Sequence, residues 1–338
     1  MVKLLKTMIP TYIVEILKRI RKVNSFIWAV FRDAKRFYRF SGVFIKNEAE
    51  SSLASLITID YHRLEKGLAL PNPRIGFGVT AAGDLQSNLV KFMGRYGVKS
   101  VCLEAISALS EYYLFNEEFT KNDNALYAEY LKIFQSINVD DYADFYAIAG
   151  TVETSREEVV NASNINYKQF FKHRHSVRTF SNEAVDTALI DEAISIAQEA
   201  PSVCNRQPWK VYCVQSGERV TEILKIQSGA RGFEDGPDKL LVISVDVRAF
   251  HYAGERNEYW VDGGIFTMSV LNALHAVGLG TCCMNWCVDK KRDELLRKTI
   301  NLPASEVVIV LIAIGHYPEK FKVAVSPTKE TSLVIKYI

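Results

Sequence analysis

Between residues 307 and 318 the chain reads VVIVLIAIGHYP. An unbroken aliphatic run rich in β-branched residues is the strongest strand signal in the sequence. A second run, KLLVISVD at 239–246, is nearly all apolar, as in a sheet covered on both faces. KVYCVQ at 210–215 and TCCMNW at 281–286 are weaker strand candidates, and the tail TSLVIKYI at 331–338 is short and β-prone. Helical patterns fall between them, near 186–199, 261–276 and 289–299. Together these predict a single sheet with helices around it, in an α+β or α/β arrangement.

The first half has a different character. Helical patterns occupy about 48–64, 81–95, 99–116 and 122–137, and no convincing strand precedes residue 150. The segment HRLEKGLALPNPRIGFG at 62–78 is dense in Pro and Gly and reads as a loop. With 338 residues the chain has length for about two domains. The expected division is an α-helical region over 1–165 and a sheet-containing domain over 166–338.

Charge is unevenly distributed. Residues 1–40 hold ten Lys or Arg and two acids, or +8, so the remainder of a +2 chain carries 2 − 8 = −6. Within that arm Ile13, Ile16, Ile20, Val23, Ile27, Val30, Ala34 and Phe37 alternate in steps of three and four, a heptad-type stripe on a long helix. Two readings stay open. The stripe packs on its own protein or a twin subunit, or the helix lies on an anionic membrane surface. No recognition motif accompanies the charge, so nucleic acid is not an expected partner.

Several other classes are disfavoured. Residues 263–288 carry no formal charge, but four glycines, two asparagines and a histidine make them a buried helix and strand rather than a membrane span. The first residues show no small-residue cleavage site, and six cysteines are too few for a disulfide scaffold. Reduced thiols and a cytoplasmic setting are the expectation. Cys282, Cys283 and Cys287 lack a C-x-x-C spacing or a following His, so they read as small strand residues rather than metal ligands. Adjacent cysteines form a strained disulfide ring, which also weighs against a redox dithiol. No G-x-G-x-x-G follows a strand, and GARGFEDGPDK at 229–239 lacks the G-K-[ST] ending of a P-loop. His62, His251, His275 and His316 are isolated and read as structural.

Two segments carry the candidate chemistry. FKHRHSVRTF at 171–180 holds five basic side chains and no acid. Arg174 and Arg178 meet whether the segment is extended, with Ser176 on the same face, or helical. Guanidinium forks and a hydroxyl suit a phosphate, though a solvated basic face is the alternative reading. Lys172 and His173 are expected to be solvated. EAPSVCNRQPWKV at 199–211 has two fixed turns, polar donors at Ser202, Asn205 and Gln207, and Trp209 as an anchor. Such a loop suits a heterocycle with hydrogen-bonding edges, or a plain helix-to-strand connection.

In this order, RHSVRTF (174–180), PSVCNRQPW (201–209), VDGGIFTMSVLNALHAVGLGT (261–281) and IGHYPE (314–319) resemble the FMN-dependent nitroreductase family over about 166–338. The resemblance implies an α+β fold with a mixed sheet flanked by helices, and a homodimer with FMN at its interface. It implies that Arg174, His175, Ser176 and Arg178 hold the FMN phosphate and ribityl. Pro201, Ser202, Val203, Cys204 and Asn205 would approach the flavin from the partner subunit, with Gly280, Thr281 and Cys282 on the ring's other side. Lys329, with Ser326 nearby, matches the family's C-terminal basic residue, and the β-prone tail would cross to the partner. The implied activity is hydride transfer from NAD(P)H through FMN to a small-molecule acceptor. No side chain is named as catalytic and no metal is expected.

The family's ring-contacting Asn is absent; Gly229, Ala230 and Arg231 stand nearest. Met268 and Ser269 replace a polar pair often found after the D-x-G. The lid-like helical insertion is expected to be reduced, with the N-terminal region covering the pocket instead. HRLEKGLALPNPRIGFG is similar to an element of nitroreductase-like proteins from bacterial cell-surface polysaccharide clusters. Two alternatives to the implied activity stay open. One is O2-dependent oxidation or fragmentation on the same fold. The other is an accessory protein peripheral to the inner face of the membrane, retaining a flavin site.

Overall fold

The computed structural model describes residues 10–43, 49–70, 72–117, 125–137, 149–152, 165–324 and 328–338. Among the described residues five helices come first: α1 (Thr11–Phe40), α2 (Glu50–Leu68), α3 (Val79–Tyr96), α4 (Ser100–Phe115) and α5 (Ala125–Ser136). Then follow α6 (Tyr167–His173), α7 (Thr187–Ala197), β1 (Trp209–Val214), α8 (Gly217–Gln227) and β2 (Lys239–Asp246). The chain continues through α9 (Glu258–Ala276), β3 (Leu279–Asn285), α10 (Lys290–Thr299) and β4 (Glu306–His316). The architecture is α+β.

The sheet order is β1-β2-β4-β3, with every strand pairing antiparallel. A parallel bridge between Ser176 and Thr281 extends the β3 edge, which makes the pairing mixed. β2 and β4 are the inner strands. All eight residues of β2 are buried, as an aliphatic run at the centre of a two-sided sheet requires. On one face Leu241, Ile243 and Val245 pack with Ile190 and Ala193 of α7 and Phe266, Val270 and Leu274 of α9. On the other, Leu240 and Val242 pack with Val220, Ile223 and Leu224 of α8 and Leu296 of α10. Three layers result, with the sheet in the middle.

The β2–β4 register shifts by one residue at Ile243/Ser244, where the chain opposite steps from Val310 to Val308. A bulge inserts one extra residue and swaps the side-chain alternation beyond it. Accordingly Val307 and Ile309 face the α7–α9 layer, whereas beyond the bulge Ile312 and Ile314 do so. Val308, Leu311 and Ala313 face the α8–α10 layer. A strand that changes parity midway needs apolar residues at nearly every position, which is what the sequence run supplies.

The helices α2 to α5 enclose a separate core built on Leu53, Ile57, Leu64, Leu85, Leu89, Phe92, Ala105 and Leu109. Gln86 is buried there and donates to the Tyr113 hydroxyl at 2.6 Å. Among the described residues no strand precedes residue 150, as expected. The loop expected at 62–78 starts later. Residues 62–68 complete α2, and its turns are held by Arg63 to Asp60 and His62 to Glu65 contacts. Gly67 is not a breaker but a socket: a Cβ there would stand 2.0 Å from the Phe77 ring, which folds back onto the helix. Two further expectations fail. The tail forms only a 3-10 turn at Thr331–Leu333 and no strand, and α8 was not foreseen.

α2 joins the two halves. It packs on 3-10 turns at Val203–Asn205 and Val247–Ala249. His251 follows the second turn, with Nε2 2.8 Å from the Ser55 hydroxyl of α2. Ser55 donates onward to the Ser52 carbonyl at 2.9 Å, so the ring nitrogen is the donor to Ser55. The other ring nitrogen lies against Gly42, where a Cβ would approach to 2.1 Å. Burial pulls the His251 pKa down to about 4, and the Arg206 cation adds to this against the opposing Glu255 carboxylate. The folded state therefore holds a neutral ring.

A depressed histidine gives stability that is present above its unfolded pKa near 6.5 and is lost as pH falls toward 4. Asp60 and Asp262, both raised to about 6 by burial, work in the opposite direction over the same window. Comparison with His251→Gln isolates the histidine. In urea melts the stability advantage of the native chain over the variant shrinks by roughly 3 kcal/mol between pH 7 and pH 4. A pH-independent difference would contradict a buried neutral His251.

Candidate functional site

The basic stretch divides at the end of α6. Lys172 and His173 belong to the helix, and Arg174 takes an extended conformation at its C-cap. His173 Nδ1 donates back to the Gln169 carbonyl at 2.8 Å and is exposed, as expected. From Arg174 the chain runs along β3. Val177 is fully buried and its N–H donates to the Thr281 carbonyl at 2.8 Å. An extended chain with Val177 inward sends Arg174, Ser176 and Arg178 to the opposite side. The extended alternative is the one that the fold adopts.

Arg174, His175, Ser176 and Arg178 line one cleft of about 840 Å³, together with Lys168, Lys172 and Thr328. Lys172 thus stands at the cleft rather than apart from it. Arg174 Nε is buried and has no hydrogen-bond partner. Arg178 makes a long 3.4 Å contact to the Ser176 carbonyl. Among the described residues neither guanidinium meets a carboxylate. Four cations, Lys168, Lys172, Arg174 and Arg178, converging with the Ser176 and Thr328 hydroxyls and without a counter-charge form an anion receptor, with forks shaped for phosphate oxygens. Lys329 follows Thr328 and is exposed. Ser326 lies outside the described residues.

Gly280, Thr281 and Cys282 lie in the strand adjoining this segment. Thr281 and Cys282 are each 2% exposed. A Cβ at Gly280 would stand 3.2 Å from the Gly315 carbonyl and 3.3 Å from the Tyr317 ring, so only glycine fits easily. All six cysteines are free. Burial pushes the Cys283 thiol up to about 11 and raises Cys282 as well, which holds both in the neutral thiol form. Among the described residues no group of His, Cys, Asp and Glu could hold a metal.

Pro201, Ser202, Val203, Cys204 and Asn205 do not line that cleft. They form a separate loop whose backbone is strained: Cys204, Asn205 and Gln207 have φ of 50°, 53° and 46°. Three non-glycine residues in the left-handed region persist only where surrounding contacts over-determine them. Those contacts are present. Val203 N–H donates to Asp262 Oδ1 at 3.1 Å, and Gln207 N–H to the Ser202 hydroxyl at 3.0 Å. Trp209 stacks on Phe266 with centroids 4.4 Å apart, the anchoring expected of it.

The strongest restraint is Arg206, which the sequence reading did not single out. Its side chain is fully buried. It donates to the Val203 and Ala249 carbonyls at 3.0 and 2.6 Å and in a fork to Glu255 at 3.1 and 2.5 Å. Burial pushes the Glu255 pKa up, but the Arg206 fork and backbone N–H groups of His251 and Tyr252 outweigh it and hold the carboxyl low. No local signal marks Arg206, because its acid lies 49 residues away. Asp262 was noted only within the D-G-G motif; its Oδ2 is buried without a partner. The N-terminal region reaches this loop, and none of its described residues lines the cleft. Arg63 of α2 donates to the Tyr252 hydroxyl at 3.2 Å and lies near the Cys204 thiol.

Arg206→Met keeps the bulk and strands Glu255 in a buried setting, so it costs about 3–5 kcal/mol in chemical denaturation. Adding Glu255→Gln recovers part of that loss. A cost below about 1 kcal/mol would show that the fork does not hold the loop.

The Nitroreductase family matches residues 171–246 and 230–316. A Methanothermobacter thermautotrophicus protein whose name includes NADH dehydrogenase/NAD(P)H nitroreductase is 24% identical over 158 residues, or 46% of this chain and 80% of that protein. An iodotyrosine deiodinase of Haliscomenobacter hydrossis is 42% identical over 58 residues, 17% of this chain and 26% of its own. A Parabacteroides distasonis crystal structure, with the same words in its name as the first relative, shares 22% identity. It covers 52% of this chain and 98% of its own, at a TM-score of 0.45. Both segments that carry the candidate chemistry and all four strands lie inside the family match, so it is residues 171–316, the sheet-containing part of the chain, that match the Nitroreductase family.

Proposed function

We propose that residues 166–338 form an FMN-binding domain that passes hydride from NAD(P)H to a small-molecule acceptor, with residues 1–165 as a helical region beside it. The observation that carries this reading is the unpaired guanidinium pair in the 840 Å³ cleft, where Arg174 Nε is buried and unbonded. A buried donor without a partner costs free energy unless a ligand supplies an acceptor. The FMN phosphate meets that need, and the donor set fits it. Arg174 and Arg178 would hold the phosphate, with His175, Ser176 and Lys329 beside it. Bound FMN would supply the hydride acceptance and donation that no side chain of this site can perform. The name of the M. thermautotrophicus relative supports a nicotinamide reductant.

The residues of the chain act by holding and orienting. Gly280 lets the β3 backbone approach the cleft without a side chain, and the Val177–Thr281 hydrogen bond keeps Ser176 in register with it. The Pro201–Asn205 loop is rigid yet lies outside this cleft, which supports its use by a second subunit. Trp260, Val261 and Ile265 of α9 are 46%, 51% and 39% exposed, an apolar surface suited to a homodimer. The tail residues Leu333, Val334 and Tyr337 are also exposed.

The decisive experiment is the double variant Arg174→Ala/Arg178→Ala. Charge-assisted bonds to a phosphate contribute about 1.5–3 kcal/mol each, so FMN affinity falls by roughly 100-fold or more. Flavin fluorescence titration reads the loss directly, with circular dichroism confirming the fold. FMN affinity equal to that of the unmodified chain would refute the phosphate assignment.

A further inference from the structure

Helix α1 is turned the wrong way for a helix that packs on its own protein. Its apolar stripe is in solvent: Ile16, Ile20, Val23, Ile27 and Val30 are each 51–59% exposed. Leu17, Phe26, Trp28 and Phe31 are 53–68% exposed. The side that meets the body is the other one. Ala29, Arg32 and Arg36 are partly covered, and Arg36 reaches Asp293 of α10 at 3.6 Å. Only at the C-terminal end does an apolar residue enter a core, where Phe37 is 8% exposed.

At about 100° per residue the apolar side chains from Phe26 round to Trp28 cover an arc of roughly 200°. The helix carries eight Lys or Arg, at 18, 19, 21, 22, 32, 35, 36 and 39, against two acids, Glu15 and Asp33. Six of the eight lie outside that arc, and Arg19 and Lys35 sit at its margins, where long stems can reach past an apolar layer. We propose that α1 is a docking surface for an anionic lipid bilayer, lying flat with the stripe in the acyl boundary and the cationic side toward the protein body.

Two features favour lipid over a second copy of the chain. A two-helix seam needs a narrow stripe flanked by opposite charges. Here the arc is wide, and two copies would bring eight cations each against two acids each. An anionic interface offers charge complementarity to the basic residues at and beside the edges of the arc, Arg19, Arg21, Lys22, Lys35 and Arg39, and depth for the aromatic rings. Where the body meets the polar side of the helix, its acid Asp293 faces Arg36, and residues 288–290 border the arc only at its Trp28 and Phe31 edge. Among the described residues no helix is long and apolar enough to cross a membrane, so attachment is along the surface.

The test uses the full-length chain and sedimentation with two kinds of vesicle, phosphatidylcholine alone and phosphatidylcholine with a third phosphatidylglycerol. Binding is expected to the anionic vesicles and to fall steeply as ionic strength rises from about 0.1 M to about 0.5 M. Arg21→Gln/Lys22→Gln weakens partitioning by more than about ten-fold, at roughly five-fold for each charge. Ile20→Asp/Ile27→Asp, at exposed positions that leave the fold intact, abolishes it. No binding at low salt, equal binding to both vesicle types, or binding retained by the Asp variant would each overturn the proposal. Light scattering on the Asp variant completes the test. An unchanged mass agrees with a lipid surface, and a fall in mass would assign the stripe to a second copy instead.

Discussion

The pairing of β2 with β4 imposes the main constraint on this fold. Both strands are buried on both faces, so two layers must cover them and two further strands must shield their edges. α7 and α9 cover one face, α8 and α10 the other, and β1 and β3 flank them. Edge strand β3 is then available to receive the extended segment after α6. The basic side chains reach their cleft because Val177 is pinned by one backbone hydrogen bond to that edge. Their position is a consequence of how the hydrophobic layers close.

Two arginines in the same domain show how context decides role. Arg206 satisfies its donors on two carbonyls and a carboxylate, and its charge is spent on holding a strained loop in shape. Arg174 keeps a buried nitrogen without an acceptor. The first is a finished interaction; the second is an incomplete one that a ligand can complete. Nothing in residue type distinguishes them, and a count of positive charge treats them alike.

The same contrast explains what could be read from the sequence. Strands β2 and β4 were legible within a residue or two, because a long aliphatic run has few other uses. The family order of RHSVRTF and PSVCNRQPW pointed to a shared site, and within one chain only the first of them lines the cleft. α8 escaped notice because Val220, Thr221, Ile223 and Ile226 dilute its helical pattern with β-branched residues. The end of α2 was misjudged at Gly67, whose lack of a side chain serves the Phe77 ring rather than a turn. The stripe on α1 was plain in its spacing, yet spacing carries no information about which way the helix is rolled. The Arg206–Glu255 fork was invisible for a similar reason: its two halves become neighbours only once the turns at Val203–Asn205 and Val247–Ala249 have formed.

The bulge in β4 carries an implication for how this strand is read out during folding. With aliphatic residues at almost every place from Val307 to Ile314, a slip by one residue would cost little in burial, since either parity presents a similar surface. The middle of the strand therefore cannot choose its own alignment. That choice falls to the two ends. At one, buried Glu306 accepts hydrogen bonds from Tyr212 and Ser244. At the other, Gly315 admits the Phe180 ring, which a Cβ would meet at 2.7 Å. The strand behaves as a smooth ruler with marks only at its tips, and mutations at those tips threaten alignment more than mutations in the apolar span between them.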